Sequence, residues 1–369
     1  MPTILGANTL ATKGYQVQNS MMLETGDSSR LSKTFSSASN SNTTFTVSGW
    51  FKKTKNGATQ DLISAYRSSD GLQTDVMRFG STDDFEFYAH TTNSSGNADI
   101  QTGRVFRDVG AWYHIGSGIE HTIGAVGTSN FFSGYVAEVV YLDGQSLGPT
   151  SFGEFDPQTP TTWRPKDVTG LTYGNNSFYL EFKTPGNIGV DTSDGNNLQQ
   201  KDQAQDTCTN NFCTWNVLNS QLANTTLTQG ATKLVGGSQD NPNYTYVGAT
   251  MAVTSGKWYW EAKTLDNAEI DQAGVSLAEL SNFSNLSTSN GLQATTHGGR
   301  GVQFSNGYKV GDGSGGAHMG GFSANNYIMV ALNMDDGEIT FGRNGTWSEA
   351  DGSSDAAFGA ATAAFTDLE

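Results

Sequence analysis

The stretch Phe131 to Pro157, FFSGYVAEVVYLDGQSLGPTSFGEFDP, constrains this chain more than any other segment. From Gly134 to Leu142 it alternates with period two. That spacing predicts a strand with Tyr135, Ala137, Val139 and Tyr141 on one face and Val136, Glu138, Val140 and Leu142 on the other. Both faces are largely apolar, as expected of a central strand between two packed layers. Asp143-Gly144 then supplies a turn dipeptide, and Leu147-Gly148-Pro149 blocks any resumption. Glu138 lies between Val136 and Val140, so a donor is expected to pair with it, since an unpartnered buried carboxylate is costly.

The rest of the chain is consistent with a β fold. Hydrophobic residues make up 36% and aromatic residues 11%, and the 45 glycines point to short strands joined by tight turns. Strands are expected at Ser20 to Glu24, Phe45 to Phe51, Asp61 to Tyr66, Val76 to Phe79, Asp84 to Ala89, Trp112 to Ile115 and Phe178 to Lys183. Helical spacing is absent before residue 185. Between Thr184 and Asp206 the composition turns to Gly, Asn, Asp and Gln, which predicts a polar linker over residues 186–206. Beyond it, KWYWEAK (Lys257 to Lys263) places Trp258, Trp260 and Ala262 inward and Tyr259, Glu261 and Lys263 on the other face. Ala273 to Leu277, Gly301 to Phe304 and Tyr327 to Met334 follow, the last forming a hairpin through Asp335-Asp336-Gly337 with Glu338 to Phe341. The expectation is all-β: two antiparallel, jelly-roll-like sandwiches, residues 1–185 and 207–369.

Charge and targeting signals exclude several classes. With 36 acidic residues against 20 Lys plus Arg, the net charge of −16 repels nucleic acid and anionic lipid. The N-terminus, MPTILGANTLATKGY, lacks the basic and apolar regions of a secretory signal, and no stretch approaches the ~20 apolar residues of a membrane span. Synthesis in a cytosol is expected, and the N-x-S/T triplets are read as chance.

In the first half, GYQVQNSMMLE, FTVSGWFKK, AWYHI, the Phe131 to Asp156 block and YLEFK resemble the laminin-G-like or concanavalin A-like jelly-roll module of structural proteins from marine tailed bacteriophages. In the second half, DTCTNNFCTWNVLNS, TSGKWYWEAK, AGVSL and YIMVALNMDDGEITFGRNG resemble a SPRY module. Against these modules a hairpin is expected to be missing between Ile115 and Ile119, and the second sandwich to be incomplete at its C-terminal end, leaving a sheet edge open. The resemblance implies a non-enzymatic virion surface protein, a fibre or appendage, made in the host cytoplasm. Its implied partners are other virion proteins and a host-surface glycan or receptor, and it is expected to form a homo-oligomer. A structural decoration of head or tail is the alternative, and a polysaccharide hydrolase a lesser one.

Residue by residue, chemistry is sparse. Glycosidases of the concanavalin A-like fold carry an E-x-D-x-x-E strand, and glycoside hydrolysis needs two carboxylates flanking one bond. Asp83, Asp84 and Glu86 come closest, with phenylalanines on the alternate face and no third acid. His90, His114, His121, His297 and His318 lack metal-ligand spacing. Calcium can bind loops of such folds, but no D-x-D-x-D-G loop supports it here. No catalytic, cofactor or metal residue is therefore assigned. Cys208 and Cys213 are expected to join as a disulfide once outside a cell. Gly311 to Gly316, GDGSGG, reads as a flexible loop. Tyr66, Trp163 and Trp347 are the candidates for stacking on sugar.

Overall fold

The computed structural model describes residues 14–33, 44–67, 72–90, 96–117, 122–123, 129–193, 203–221, 226–235, 246–266, 272–276, 292, 298–311, 314–348 and 361–368. Among them the chain is all-β, with two single-turn 3-10 helices, Thr25–Asp27 and Pro149–Ser151. Two compact units emerge: Met1–Asn219 with Thr225–Val235 and Val247–Thr250, and Ser220–Asn224 with Gly236–Tyr246 and Met251–Glu369.

Strands of the first unit are β1 (Ser20–Leu23), β2 (Leu31–Ser32), β3 (Phe45–Lys53), β4 (Gln60–Arg67), β5 (Leu72–Phe79), β6 (Asp84–His90), β7 (Gly96–Val105), β8 (Tyr113–Ser117), β9 (Thr122–Ile123), β10 (Gly134–Asp143), β11 (Gly153–Phe155), β12 (Trp163–Pro165), β13 (Phe178–Leu180) and β14 (Gln203–Ala204). One sheet runs β14-β1-β10-β3-β8, with β13 also on β10, and the other runs β2-β9-β4-β5-β6-β7. Every ladder of these two sheets is antiparallel. Between the two sheets lies a core that includes Leu23, Phe51, Leu62, Phe79, Val136 and Phe178.

All of β10 is buried. Its alternation nevertheless differs from the sequence expectation. Ala137 pairs with Trp50 and Val140 with Ser48, so β10 carries one extra residue at Glu138-Val139. Glu138 adopts the left-handed region at φ 49. The bulge inverts every face downstream of it. Val136, Val139 and Tyr141 thus share the inter-sheet core, while Ala137, Val140 and Leu142 face the opposite layer. Gly49 stands opposite the bulge, and a Cβ there would come within 3.0 Å of the Phe51 ring.

That opposite layer is what covers the second face of β10. Phe152, Val168 and Tyr179 pack on Val140 and Leu142, while Val17 and Cys208 pack on Trp50 and Ala137. β11 and β12 form a hairpin beside them.

Residues 186–206 correct the linker expectation where they are described. Ile188 enters the main core, and Asp191 is fully buried, bonding Lys33 at 2.9 Å and accepting from the Tyr179 amide. β14 adds a strand to β1. The first unit then runs on through Asn219, beyond the predicted boundary. Polar composition misled here because these side chains bond to the sandwich instead of to water. The expected missing hairpin lies largely outside the described residues. β8 pairs with β3 in unbroken register from Tyr113 to Ser117, whereas β9 belongs to the other sheet.

Small two-stranded sheets follow: β15 (Trp215–Gln221) with β18 (Tyr246–Ala249), and β16 (Thr226–Thr228) with β17 (Lys233–Val235). In the second unit, β19 (Lys257–Lys263), β24 (Tyr327–Asn333), β25 (Glu338–Arg343) and β26 (Thr346–Trp347) make one sheet in the order β19-β24-β25-β26. β20 (Gln272–Val275), β21 (Arg300–Gln303), β22 (Tyr308–Gly311) and β23 (Ser314–Ala317) make another in sequence order. Val302, Ile328, Val330, Ile339 and Phe341 form the core, with Trp258, Trp260 and Ala262 packed against it. The glycine-rich segment is mostly strand: Gly311 pairs with Ser314 in a hairpin, which replaces the flexible-loop expectation. Residues 362–368 lie along β25 instead of leaving it open. Phe365 bridges Ile339, the Leu368 amide donates to Gly337 O, and Arg300 holds Asp367 at 2.6 Å.

Candidate functional site

The bulge that redirects β10 also fixes its one acid. The Tyr179 hydroxyl donates to Glu138 Oε2 at 2.6 Å, Tyr15 reaches the same oxygen at 3.2 Å, and the two phenols are 2.9 Å apart. Burial pushes the Glu138 carboxyl up to about 7, against the pull of both hydroxyls. The adjoining cleft, lined by Ser48, Trp50, Val140, Phe152 and Lys166, is too narrow to admit a water molecule. Glu138 therefore has no substrate-sized space beside it.

The acids nearest to a glycosidase pattern are each committed elsewhere. Asp83 bonds Lys53 at 2.9 Å and Arg107 at 3.2 Å, and accepts from the Gly57 amide. Asp84 accepts from Thr82 and Gln101, and Glu86 from Arg78 and Tyr88. Asp61, outside that pattern, is fully buried, and desolvation pushes it up to about 6 against the pull of Asn130 and Arg78. Among the described residues, no three His, Cys, Asp or Glu side chains converge to hold a metal.

His114 comes closest to a nucleophile pairing, with Nε2 2.7 Å from Ser48 Oγ. Its Nδ1 accepts from Trp163 Nε1 at 3.2 Å, so an indole stands where an orienting acid would be needed. Burial lowers His114 to about 4 and keeps the ring neutral, and His318, bonded to Ser348, is lowered likewise. The side chains of His90, His121 and His297 lie outside the described residues.

The aromatic candidates separate. Tyr66 sits in β4 opposite Gln73, with its side chain outside the described residues. Trp163 is half-buried between His114 and Phe155, bonded through its indole nitrogen, and the bare Gly153 backbone packs on its ring. Trp347 is only 6% exposed and packs with Met329, so it is a core residue and presents no stacking face. A ring 6.1 Å away from it does present one: Tyr259 is 48% exposed.

Tyr259 belongs to an open sheet face that the candidate list omitted, although the alternation of KWYWEAK had already put it outside. Lys257, Tyr259, Glu261 and Lys263 all point outward from β19. Across the ladder Lys263 stands opposite Tyr327, which is 44% exposed, and its ammonium lies 5.6 Å from the Tyr327 ring centroid. The Tyr259 hydroxyl bonds Glu261. Tyr259 and Tyr327 are offset by four residues along β19, roughly 13 Å at strand rise. The result is two exposed rings flanked by ammonium and carboxylate groups on a hydrogen-bonded sheet. What single-sequence reasoning lacked was the register that brings Tyr327 beside β19.

The cysteines correct the disulfide expectation. Both are free thiols, Cys208 buried among Val17, Trp50 and Ala137, and Cys213 exposed. One faces the layer and the other faces solvent, so their side chains do not meet as a disulfide requires. Burial raises the Cys208 thiol well above its ordinary value. A thiol reagent under native conditions is expected to titrate one group rapidly, at Cys213, and the second only after denaturation. Two unreactive sulfurs in both states would restore the disulfide.

No protein-family model matches the chain, and no curated protein matches it.

Proposed function

We propose that the chain is a non-enzymatic surface protein of a tailed-phage particle that presents its sandwiches to a host-surface oligosaccharide. The observation that carries the glycan reading is the exposed pair Tyr259 and Tyr327, held on one sheet face beside Lys257, Glu261 and Lys263. Aromatic rings offer large rigid contact area, and the flanking groups supply the donors and acceptors that hydroxyls require. A net charge of −16 disfavours polyanionic ligands, which makes a neutral oligosaccharide the better fit. Placement on a virion rests on the sequence resemblance. The commitment of Glu138, Asp83, Asp84 and Glu86 to structural partners supports a role without turnover.

Screening the full chain against a panel of neutral and acidic surface glycans tests the reading. Binding to a neutral member is expected. Y259A and Y327A should each weaken it about tenfold, the value of one lost stacking contact, while leaving the thermal transition in place. Absence of binding across the panel, with particle imaging that places the chain flat on capsid or tail, would favour the decoration role instead.

A further inference from the structure

Independently of any ligand, we infer that β19 is a self-association edge at which two copies of this chain join their sheets around a two-fold axis. β19 is a seven-residue strand, Lys257–Lys263, paired along one side with β24 in perfect register. On its other side no described strand pairs with it. Trp258 and Trp260 pack toward the core and are only partly buried. An edge of this length is a template for another strand.

Lysines at the ends of an edge strand ordinarily oppose such pairing, because like copies bring like charges together. Register decides whether they do so here. A two-fold between antiparallel copies places the axis normal to the sheet, so residues of equal parity stand opposite one another. Centred on Trp260, the pairing would set Lys257 against the other copy's Lys263. Centred on Glu261, it would oppose two carboxylates. Centred on Tyr259, it sets each Lys257 opposite Glu261 of the second copy, stacks Tyr259 on its own image, and brings Trp258 against Trp260 on the inner face. A centre on Ala262 also opposes Glu261 and Lys263, but overlaps just three residues of the strand against five for the Tyr259 centre. Cross-strand aromatic pairs and opposite charges are the contacts that stabilise a sheet. Two four-stranded sheets would thus merge into one, doubling the outer face without covering it.

Light scattering and sedimentation of the full chain test this. The expected mass is twice 39.3 kDa. E261K sets lysine against lysine at both symmetry-related positions and is expected to raise the dimer dissociation constant at least about tenfold, and K257E should do likewise with glutamates. The double variant K257E/E261K restores opposite charges and should recover the dimer. Because both side chains are exposed, each variant should keep the parent circular-dichroism spectrum. In a C213S background, Y259C should cross-link across the axis with a short bifunctional maleimide, since the opposed Cβ atoms would stand only about 5.5 Å apart. A monomer at every concentration overturns the inference. So does a dimer that is indifferent to E261K and K257E, or one that fails to cross-link through Y259C. None of these readouts depends on glycan binding, so either reading can fail alone.

Discussion

D206A is expected to destabilise the first unit by about 3 to 5 kcal/mol, the cost of stranding a buried ammonium. Asp206 holds Lys52 Nζ at 2.6 Å, and both side chains are buried. Its other oxygen accepts from Trp112 Nε1 at 3.0 Å, and its carbonyl accepts from Ser20 Oγ at 2.5 Å. Lys52 completes its shell with Asn211 Oδ1 at 2.7 Å and Phe212 O at 2.9 Å. Desolvation lowers the lysine and raises the acid, so each depends on the other to remain charged. Removing one partner leaves the full penalty of the other. Removing both does not: K52M/D206N replaces the charged pair with a thioether and an amide that can still accept from Trp112, and should recover most of the loss. Denaturant melts of K52M, D206N and the double variant K52M/D206N measure the coupling. Additive single losses, with no recovery in the double variant, would show that the ion pair does not hold residues 206–212 to the sandwich.

The same residue shows where the sequence ceased to be legible. Regular strands declared themselves, because one buried face per strand imposes period two, and β3 follows it closely: Phe45, Val47 and Phe51 face the core while Trp50 takes the other side. The Asp335-Asp336-Gly337 hairpin was equally plain, with Gly337 at φ 70 supplying the left-handed residue of the turn. Residues 186–206 were not. A stretch of Asn, Asp and Gln looks solvated whether its groups bond to water or to a distant lysine, and Lys52 lies 154 positions away in sequence from Asp206.

The candidate site was half visible for the same reason. Tyr259 alternates outward within a single strand and is readable locally, whereas the burial of Trp347 depends on Met329 and on Ala361 packing over it. Bulges are the other blind spot. Neither Glu138 nor Gly49 announces that one residue of β10 has no opposite number, and a single extra residue reverses which side chains meet the core.

E138Q is expected to gain stability relative to the parent as pH rises from 4.5 to 7, by about 3 kcal/mol in all. The folded carboxyl titrates near 7 against 4.5 in the unfolded chain. Between those values the folded state binds the proton more tightly. Parent stability attributable to Glu138 is therefore complete below 4.5 and is lost as pH rises through 7. A glutamine cannot titrate, and its Oε1 still accepts from Tyr179. The comparison must be the difference between the two proteins, because other groups act on the parent curve. Asp61, pushed up to about 6, slopes in the same direction, while His114 and His318, both lowered to about 4, make stability rise with pH up to about 6.5. Those contributions cancel in the difference. Tyr15 and Tyr179 do not intrude, since burial beside Glu138 raises both phenols well above their ordinary value. The facing acids Glu181 and Asp167 add repulsion that raises Glu138 further. A difference that stays flat from pH 4.5 to 8 would mean that the carboxylate ionises as if in water, and that the tyrosine-lined bulge is hydrated in solution. A difference that grows as expected would instead show that Glu138 keeps its proton because burial outweighs the two phenols, whose hydrogen bonds favour the ionised form.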